Sequence, residues 1–229
     1  MVTAERFAKG MTFEQYVTFI GSPENLKREG SMAPRRDFGK FFREQYEKVR
    51  LSDEQVGAVR WLVAQPNGPA KMLVISEDWS SDCRRDVPML ARLGEVGGME
   101  LRIFPRDGQK MAREPKASPA DSPNADLMNE FLNEKNGQTW QSIPVAVFYT
   151  KDMQHLYHYT EFPKIYEKDR VVGAIRAPKA GETKEQTAVR GQKDFFALQA
   201  SPFFQMWACA GIDEILTKLH ERLVVGSVV

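Results

Sequence analysis

The side chain of this sequence best suited to chemistry is the thiol of Cys83, which follows a short apolar run at residues 71–75. The run is typical of a buried strand and the residues after Cys83 have helical spacing, so Cys83 is predicted to lie at a helix N-terminus. Free backbone N–H groups and the helix dipole favour a thiolate there. Arg84 adds positive charge and Asp82 adds negative charge, so these two neighbours act on the pKa of Cys83 in opposite directions.

The other residues whose side chains could take part in chemistry mostly indicate structural roles. Cys209 lies in an apolar stretch and is predicted to be a core residue rather than a disulfide partner of Cys83. His155, His158 and His220 show no ligand spacing with cysteine or carboxylate residues, so no metal site is predicted. The two histidines of residues 155–158 are expected on an edge strand. No Walker loop or dinucleotide fingerprint is present, and no cofactor is expected.

The elements that must position Cys83 follow a strand–helix–strand order. Residues 71–75 and 100–104 are short apolar runs that predict strands, and the helix between them is predicted to end at Gly97-Gly98. Together they have the size of a parallel crossover unit.

The next region predicts a loop, a helix and a hairpin. Residues 105–123 form a polar loop with several prolines, and Ser122-Pro123 is typical of a helix start. Asn136-Gly137 is predicted to stop that helix. Residues 143–149 and 155–159 are predicted to pair as a hairpin.

The two ends of the chain are predicted to be largely helical. Helical spacing predominates before residue 71, and Ser52 and Gln55 have capping-box spacing. Residues 164–176 are predicted to be helical and residues 177–192 to form an exposed loop. Ser201-Pro202 is predicted to begin a long C-terminal helix.

The segment around Cys83 resembles the active-site segment of the thioredoxin superfamily. That family carries W-C-x-x-C after its central buried strand, with a proline further along the helix. Trp79, Cys83 and Pro88 match these positions, and Ser80 stands where the first cysteine would be. The acidic residues before Trp79 and the arginine pair after Cys83 look most like a bacterial subgroup of thioredoxin-like proteins.

A second match is Ser142-Ile143-Pro144-Val145, which resembles the cis-proline element that faces the motif in that family. The resemblance implies an α/β, thioredoxin-like fold: a four-stranded mixed sheet with flanking helices and helical N- and C-terminal extensions. The predicted division is a helical N-terminal extension at residues 1–70, a thioredoxin-like core at residues 71–160 and a helical C-terminal extension at residues 161–229. All three are expected to form one globular unit.

Ser80 changes the activity that the resemblance implies. In the family the first cysteine attacks the substrate disulfide, and a serine hydroxyl is not ionised at neutral pH, so ordinary dithiol exchange lacks its attacking group. Val74 also stands where the family has a buried acid. The resemblance implies a site in which Cys83 and Ser80 carry any chemistry. The substrate-binding residues that it implies are Trp79, Ser81, Asp82, Arg84, Ile143 and Pro144.

Three interpretations of Cys83 stay open. A lone reactive thiol would form mixed disulfides with a protein or a low-molecular-weight thiol, which is a monothiol redox role. A peroxide-attacking thiol would resemble the Ser-x-x-Cys of peroxiredoxins, although Ser76 stands where that family usually has proline. A shielded thiol would be a small inert apolar side chain. The protein would then be a non-catalytic binding module that uses the groove between Trp79 and Pro144.

Composition argues against several other classes of protein. The chain has 229 residues, with 32 Lys plus Arg against 31 Asp plus Glu and a net charge of +1. This balance predicts neither nucleic-acid binding nor attachment to an anionic membrane. The longest apolar runs are too short to span a bilayer, and no export signal is expected at the N-terminus. Two cysteines form no disulfide framework and are typical of a reducing compartment, so a cytoplasmic location is predicted.

Overall fold

A four-stranded mixed sheet lies at the centre of the protein in this computed structural model, which describes residues 1–31 and 34–226. The described residues form six strands: β1 (Lys71–Ser76), β2 (Glu100–Pro105), β3 (Asn133–Lys135), β4 (Gln138–Trp140), β5 (Val145–Tyr149) and β6 (His155–Thr160). The main sheet has the order β2-β1-β5-β6, and β3 pairs with β4 separately. Strand β1 is parallel to β2 and antiparallel to β5, while β5 is antiparallel to β6. This is the mixed sheet that the thioredoxin resemblance implied.

The two central strands are buried, as the apolar run at residues 71–75 predicted. Met72, Leu73, Val74 and Ile75 have no exposed surface, and β5 is buried along its whole length. Complete burial of a large apolar side chain is worth roughly 1.5–3 kcal/mol. Strand β1 is therefore a firm support for the residues that follow it.

Helices surround this sheet and supply the ends of the chain. The described residues form ten of them: α1 (Ala4–Ala8), α2 (Phe13–Ile20), α3 (Pro23–Leu26), α4 (Gly39–Lys48), α5 (Asp53–Val63), α6 (Ser81–Gly97), α7 (Ala125–Glu130), α8 (Lys168–Arg176), α9 (Lys184–Ala200) and α10 (Pro202–Val225). Helix α6 connects β1 to β2 and packs against both strands, and α4, α5 and α10 pack against α6. Helix α6 is thus enclosed along most of its length.

Several predicted helix ends are confirmed. Ser52 and Gln55 form the capping box of α5, each side chain bonding the backbone N–H of the other residue. Helix α6 ends at Gly98, whose φ of +65° is a left-handed conformation that glycine adopts without a steric cost. Helix α10 begins at Pro202, directly after Ser201.

The prediction for Asn136-Gly137 is wrong: these residues do not stop a helix. They join β3 to β4 with positive φ angles of 54° and 72°. A two-residue turn of this kind matches the twist of a hairpin, and Asn-Gly is its preferred sequence. The predicted start of the preceding helix is also displaced. Ser122 Oγ accepts a hydrogen bond from the Asn124 backbone N–H at 3.2 Å, and α7 begins only at Ala125.

The prediction of an exposed loop over residues 177–192 is wrong from residue 184 onwards, where α9 begins. Thr183 Oγ1 accepts a hydrogen bond from the Gln186 backbone N–H at 3.2 Å, and Gln186 Oε1 accepts one from the Thr183 N–H at 2.9 Å. This is a capping box with the same spacing as the one that starts α5. Helix α9 buries only Gly191 and Gln199, so its polar sequence lacks the apolar periodicity that would have predicted a helix.

Two further findings concern the described residues as a set. None of their helices is both long and apolar enough to cross a membrane. Within residues 1–31 and 34–226, no group of three or more His, Cys, Asp or Glu side chains is arranged to hold a metal ion. His155 and His158 lie on β6, which is the edge strand that the sequence predicted for them.

Candidate functional site

The N-terminus of α6 follows the carboxyl end of β1 and brings Ser80 next to Cys83. Ser80 is the N-cap of α6, and its Oγ accepts a hydrogen bond from the Cys83 backbone N–H at 3.4 Å. A serine side chain here satisfies a helix N–H group that would otherwise lack a partner. The serine that replaces the family's first cysteine therefore has a clear structural role, and a hydroxyl residue before a helix is the sequence signal for it.

The Cys83 thiol is enclosed in the core. The residue has no exposed surface, and its Sγ accepts a hydrogen bond from the Glu77 backbone N–H at 3.5 Å. Burial raises the pKa of Cys83 to about 12, because a thiolate would lose its hydration. Hydrogen bonds with Ser76, Glu77 and Ser80 act in the opposite direction and are outweighed. Cys83 is therefore a neutral thiol at physiological pH.

The cis-proline element faces this helix end. The Ile143–Pro144 peptide bond is cis, as the resemblance implied. Ser142 and Ile143 are nearly buried, with 9% and 5% of their surface exposed. Among the described residues, no hydrogen bond reaches the backbone N–H or the carbonyl of Ile143.

A cavity of about 640 Å³ lies between Ser80 and Ile143, and both residues line it. Trp79 and Asp82 line it as well, so four of the predicted site residues share one cavity. Trp79 is half-buried, and its Nε1 donates a hydrogen bond to Asp107 Oδ2 at 2.9 Å, which fixes the indole ring. Strand β4 supplies part of the opposite wall.

The remaining predicted binding residues lie elsewhere. Ser81 and Arg84 do not line the first cavity but a second one of about 730 Å³, which shares Trp79, Ser80, Asp82 and Lys168 with it. Pro144 is buried and lines neither cavity. The predicted residues are therefore divided between two cavities on either side of one motif.

Asp82 is held by charged side chains that the sequence analysis did not assign to the site. Its carboxylate pairs with Arg85 at 3.1 Å and with Lys168. Arg85 also forms two hydrogen bonds of 2.7 Å with Asp86, and Tyr159 donates to the same carboxylate at 3.0 Å. This cluster neutralises Asp82 and ties the first turns of α6 to β6 and α8.

A second buried cluster lies under the motif. Glu77 accepts hydrogen bonds from Arg28 at 2.7 Å and from Arg35 at 2.6 Å. Arg35 also pairs with Asp78, and the Asp107 backbone N–H donates to Glu77 at 2.7 Å. No local spacing signals this cluster, because folding alone brings the two arginines to the end of β1.

Comparison with known proteins supports the thioredoxin-like fold. Residues 39–118 match a thioredoxin family model. The chain contains a thioredoxin-superfamily domain. Its structure is similar to that of a protein of unknown function from Pseudomonas aeruginosa, with a TM-score of 0.52 and 14% identity over 96% of this chain and 98% of that chain. It is also similar to an HIV epitope scaffold, with a TM-score of 0.49 and 14% identity over 96% and 98% of the two chains. The chain matches no curated protein.

Both cysteines of this thioredoxin-like chain are free. Cys209 is only half-buried on α10, so the prediction that it is a core residue is wrong. The residues that α10 does bury on either side of it along the chain include Phe204, Ala208 and Ile212. The thioredoxin-like site thus has one enclosed thiol at Cys83 and a hydroxyl at Ser80.

Proposed function

We propose that this thioredoxin-like protein binds a peptide non-covalently in the cavity between Ser80 and Ile143, and that Cys83 serves packing. The supporting observation is the complete burial of Cys83, which leaves the site without an accessible nucleophile. The proposal favours the non-catalytic binding module over a dithiol oxidoreductase.

The walls of the cavity suit a peptide backbone. Ile143 offers a backbone N–H and a carbonyl that have no partner among the described residues. An extended peptide satisfies such groups by main-chain hydrogen bonds, while pockets select its side chains. A volume of about 640 Å³ accommodates a few residues. Both an extended protein segment and a small thiol-containing peptide carry this backbone chemistry.

Trp140 gives the cavity an apolar anchor at its rim. Its side chain lines the cavity, and 51% of the residue is exposed. Exposed aromatic residues beside a concave surface are frequent hot spots of binding, because they bury a large area at a small entropic cost. We therefore expect Trp140 to contribute strongly to peptide affinity and little to folding.

The test uses phage-displayed peptides of unbiased sequence, selected on the immobilised protein, with affinities then measured by calorimetry. Trp140→Ala should weaken binding of the enriched peptides at least about tenfold, as expected for a hot spot. Trp61→Ala is the matched control, because Trp61 is similarly exposed, at 46%, but does not line the cavity. Failure to enrich any peptide, or equal affinity for the two variants, would refute the proposal.

A monothiol redox role is the second candidate. The hydrogen bonds from Glu77 and with Ser76 and Ser80 oppose the rise that burial causes in the pKa of Cys83, and they would stabilise a thiolate if the site opened to solvent. Such a thiol would form mixed disulfides with a protein or a low-molecular-weight thiol. The peroxide-attacking interpretation requires the same accessible thiolate. The pH dependence of Cys83 alkylation separates both from the binding module.

A further inference from the structure

The second cavity lies beside the first turn of α6 and has walls from α6, α8 and α9. Phe38, which precedes α4, lines it as well. Helices α8 and α9 lie outside residues 39–118, which match the thioredoxin family model. This cavity is therefore formed jointly by the thioredoxin-like motif and a part of the chain outside the matched region.

Arg84 lines this cavity as a buried cation that forms no ion pair with another described residue. The described residues include five buried arginines: Arg28, Arg35, Arg84, Arg85 and Arg106. The other four have carboxylate partners, whereas Arg84 donates only to backbone carbonyls of residues 78 and 79 and to the side-chain carbonyl of Gln199. Burial lowers the pKa of Arg84 to about 10, so it remains a cation at neutral pH. A buried charge without a counter-ion is costly, and an anion in the cavity would offset that cost.

Five further cations line the same cavity. Arg35 and Lys168 already have carboxylate partners, which leaves Arg36, Arg176 and Lys184. All three are exposed, and none of them takes part in an ion pair with another described residue. Asp82 is the acidic residue of the lining, and it is already paired with Lys168. Positive charge is therefore in excess around this one concave surface, although the chain as a whole is nearly neutral.

Aromatic rings lie next to two of these cations. The guanidinium of Arg84 lies over the Phe38 ring at 4.3 Å, and that of Arg176 lies over the Phe195 ring at 5.0 Å. Stacking holds a guanidinium flat. Four of the five N–H groups of Arg84 are already donated within the protein, so Arg84 contributes mainly its charge. The N–H edge of Arg176 makes no hydrogen bond to a described residue and is available to an oxyanion. The same two rings give the cavity apolar faces.

We propose that this cavity binds a small organic anion, with its anionic group between Arg84 and Arg176 and its apolar part against Phe38 and Phe195. These two cations lie beside the same turn of α9, because Arg84 is bonded to Gln199 and Arg176 lies over Phe195. The volume of about 730 Å³ is within the range of small-molecule sites. Phosphate, sulfonate and carboxylate groups share the required charge and hydrogen-bonding capacity. The proposal does not rest on the peptide site, because the cations and rings that carry it do not line the first cavity.

The test is a fluorescence titration of the whole chain with 8-anilinonaphthalene-1-sulfonate, which combines a sulfonate with aromatic rings. Arg176→Gln should weaken binding by about fivefold, from one partly screened charge. The matched control is Arg170→Gln, which removes an exposed cation of the same helix outside the cavity lining.

The neutral analogue 1-anilinonaphthalene provides the matched ligand. We expect it to bind at least about tenfold more weakly than the sulfonate and to show no difference between the two variants, since it lacks the charge. The proposal would be overturned if the sulfonate does not bind, if the two variants lose affinity equally, or if the neutral analogue binds as tightly. Each variant is first compared with the parent by cooperative urea unfolding, so a loss of binding is not a loss of fold.

Discussion

Ser80 and Cys83 occupy the two positions that carry the thiols of the thioredoxin motif, and each has a structural role here. Ser80 caps α6 through its hydroxyl, and Cys83 fills a fully enclosed space behind the cap. A serine hydroxyl is not ionised at neutral pH, and burial raises the pKa of Cys83 to about 12. Neither side chain therefore supplies the attacking thiolate that disulfide exchange requires.

Restoring the family's first cysteine at position 80 should give the protein an activity that the parent lacks. Ser80→Cys should form a reversible disulfide with Cys83 and create insulin-reducing activity with dithiothreitol, because the Ser80 hydroxyl lies 3.4 Å from the Cys83 backbone nitrogen and borders the cavity. Ser81→Cys adds the same thiol one position further along and should remain as inactive as the parent protein. An inactive Ser80→Cys variant with unchanged unfolding would show that the motif is not thioredoxin-like in geometry.

Strong apolar patterns predict the helices and strands of this protein correctly, whereas local turn signals do not. The prediction of β1 rests on a continuous apolar run, and that of α6 on apolar side chains that recur at helical spacing. Asn136-Gly137 was misinterpreted because the same dipeptide ends a helix or joins two strands, and the pairing partner decides which. Helix α9 was missed because it is polar, although Thr183 and Gln186 had the capping-box spacing.

The candidate site was predictable only as far as the motif reached. The resemblance pointed to Trp79, Ser80 and Ile143, and these residues line one cavity. The partners of Asp82 and the burial of Arg84 were not predictable, because they depend on side chains that are distant in the sequence. Composition gave no sign of the cationic cavity, because acidic residues elsewhere balance the net charge.

Two glycines in and next to helices should respond in opposite directions to replacement by alanine. Gly57→Ala should stabilise the protein by roughly 0.5–1 kcal/mol, because the position is inside α5 and an added Cβ meets no atom within 4 Å. Gly98→Ala should destabilise it by roughly 1–2 kcal/mol, because φ is +65° there. Urea unfolding measures both changes. The same sign for both substitutions would contradict the assigned end of α6.

At the scale of the whole molecule, buried ion pairs join distant parts of the chain. Arg28 and Arg35 come from the segment between α3 and α4, yet they pair with Glu77 at the end of β1. The backbone of Asp107, which follows β2, is bonded to the same carboxylate. The N-terminal segment therefore helps to position the residues that precede the motif, in addition to packing on the core.

This arrangement predicts a large effect from one charge. Arg35→Met should lower the free energy of unfolding by about 3–5 kcal/mol, because it leaves buried carboxylates without their partner. Arg36→Met, at the exposed neighbouring position, should change it by no more than about 0.5 kcal/mol. Chemical unfolding of both variants provides the comparison. Equal and small effects would mean that the cluster does not fasten the N-terminal segment.

The claim that Cys83 is an enclosed, protonated thiol is tested most directly by its alkylation. We would measure the rate with iodoacetamide as a function of pH, in a Cys209→Ala background. The raised pKa means that the folded state favours the protonated thiol, so reactivity should stay low until the pH approaches 12. The same protein unfolded in urea should react with a pKa near ~8.5. A native protein that reacts rapidly with an apparent pKa below that of the unfolded chain would contradict the binding module and establish an active monothiol.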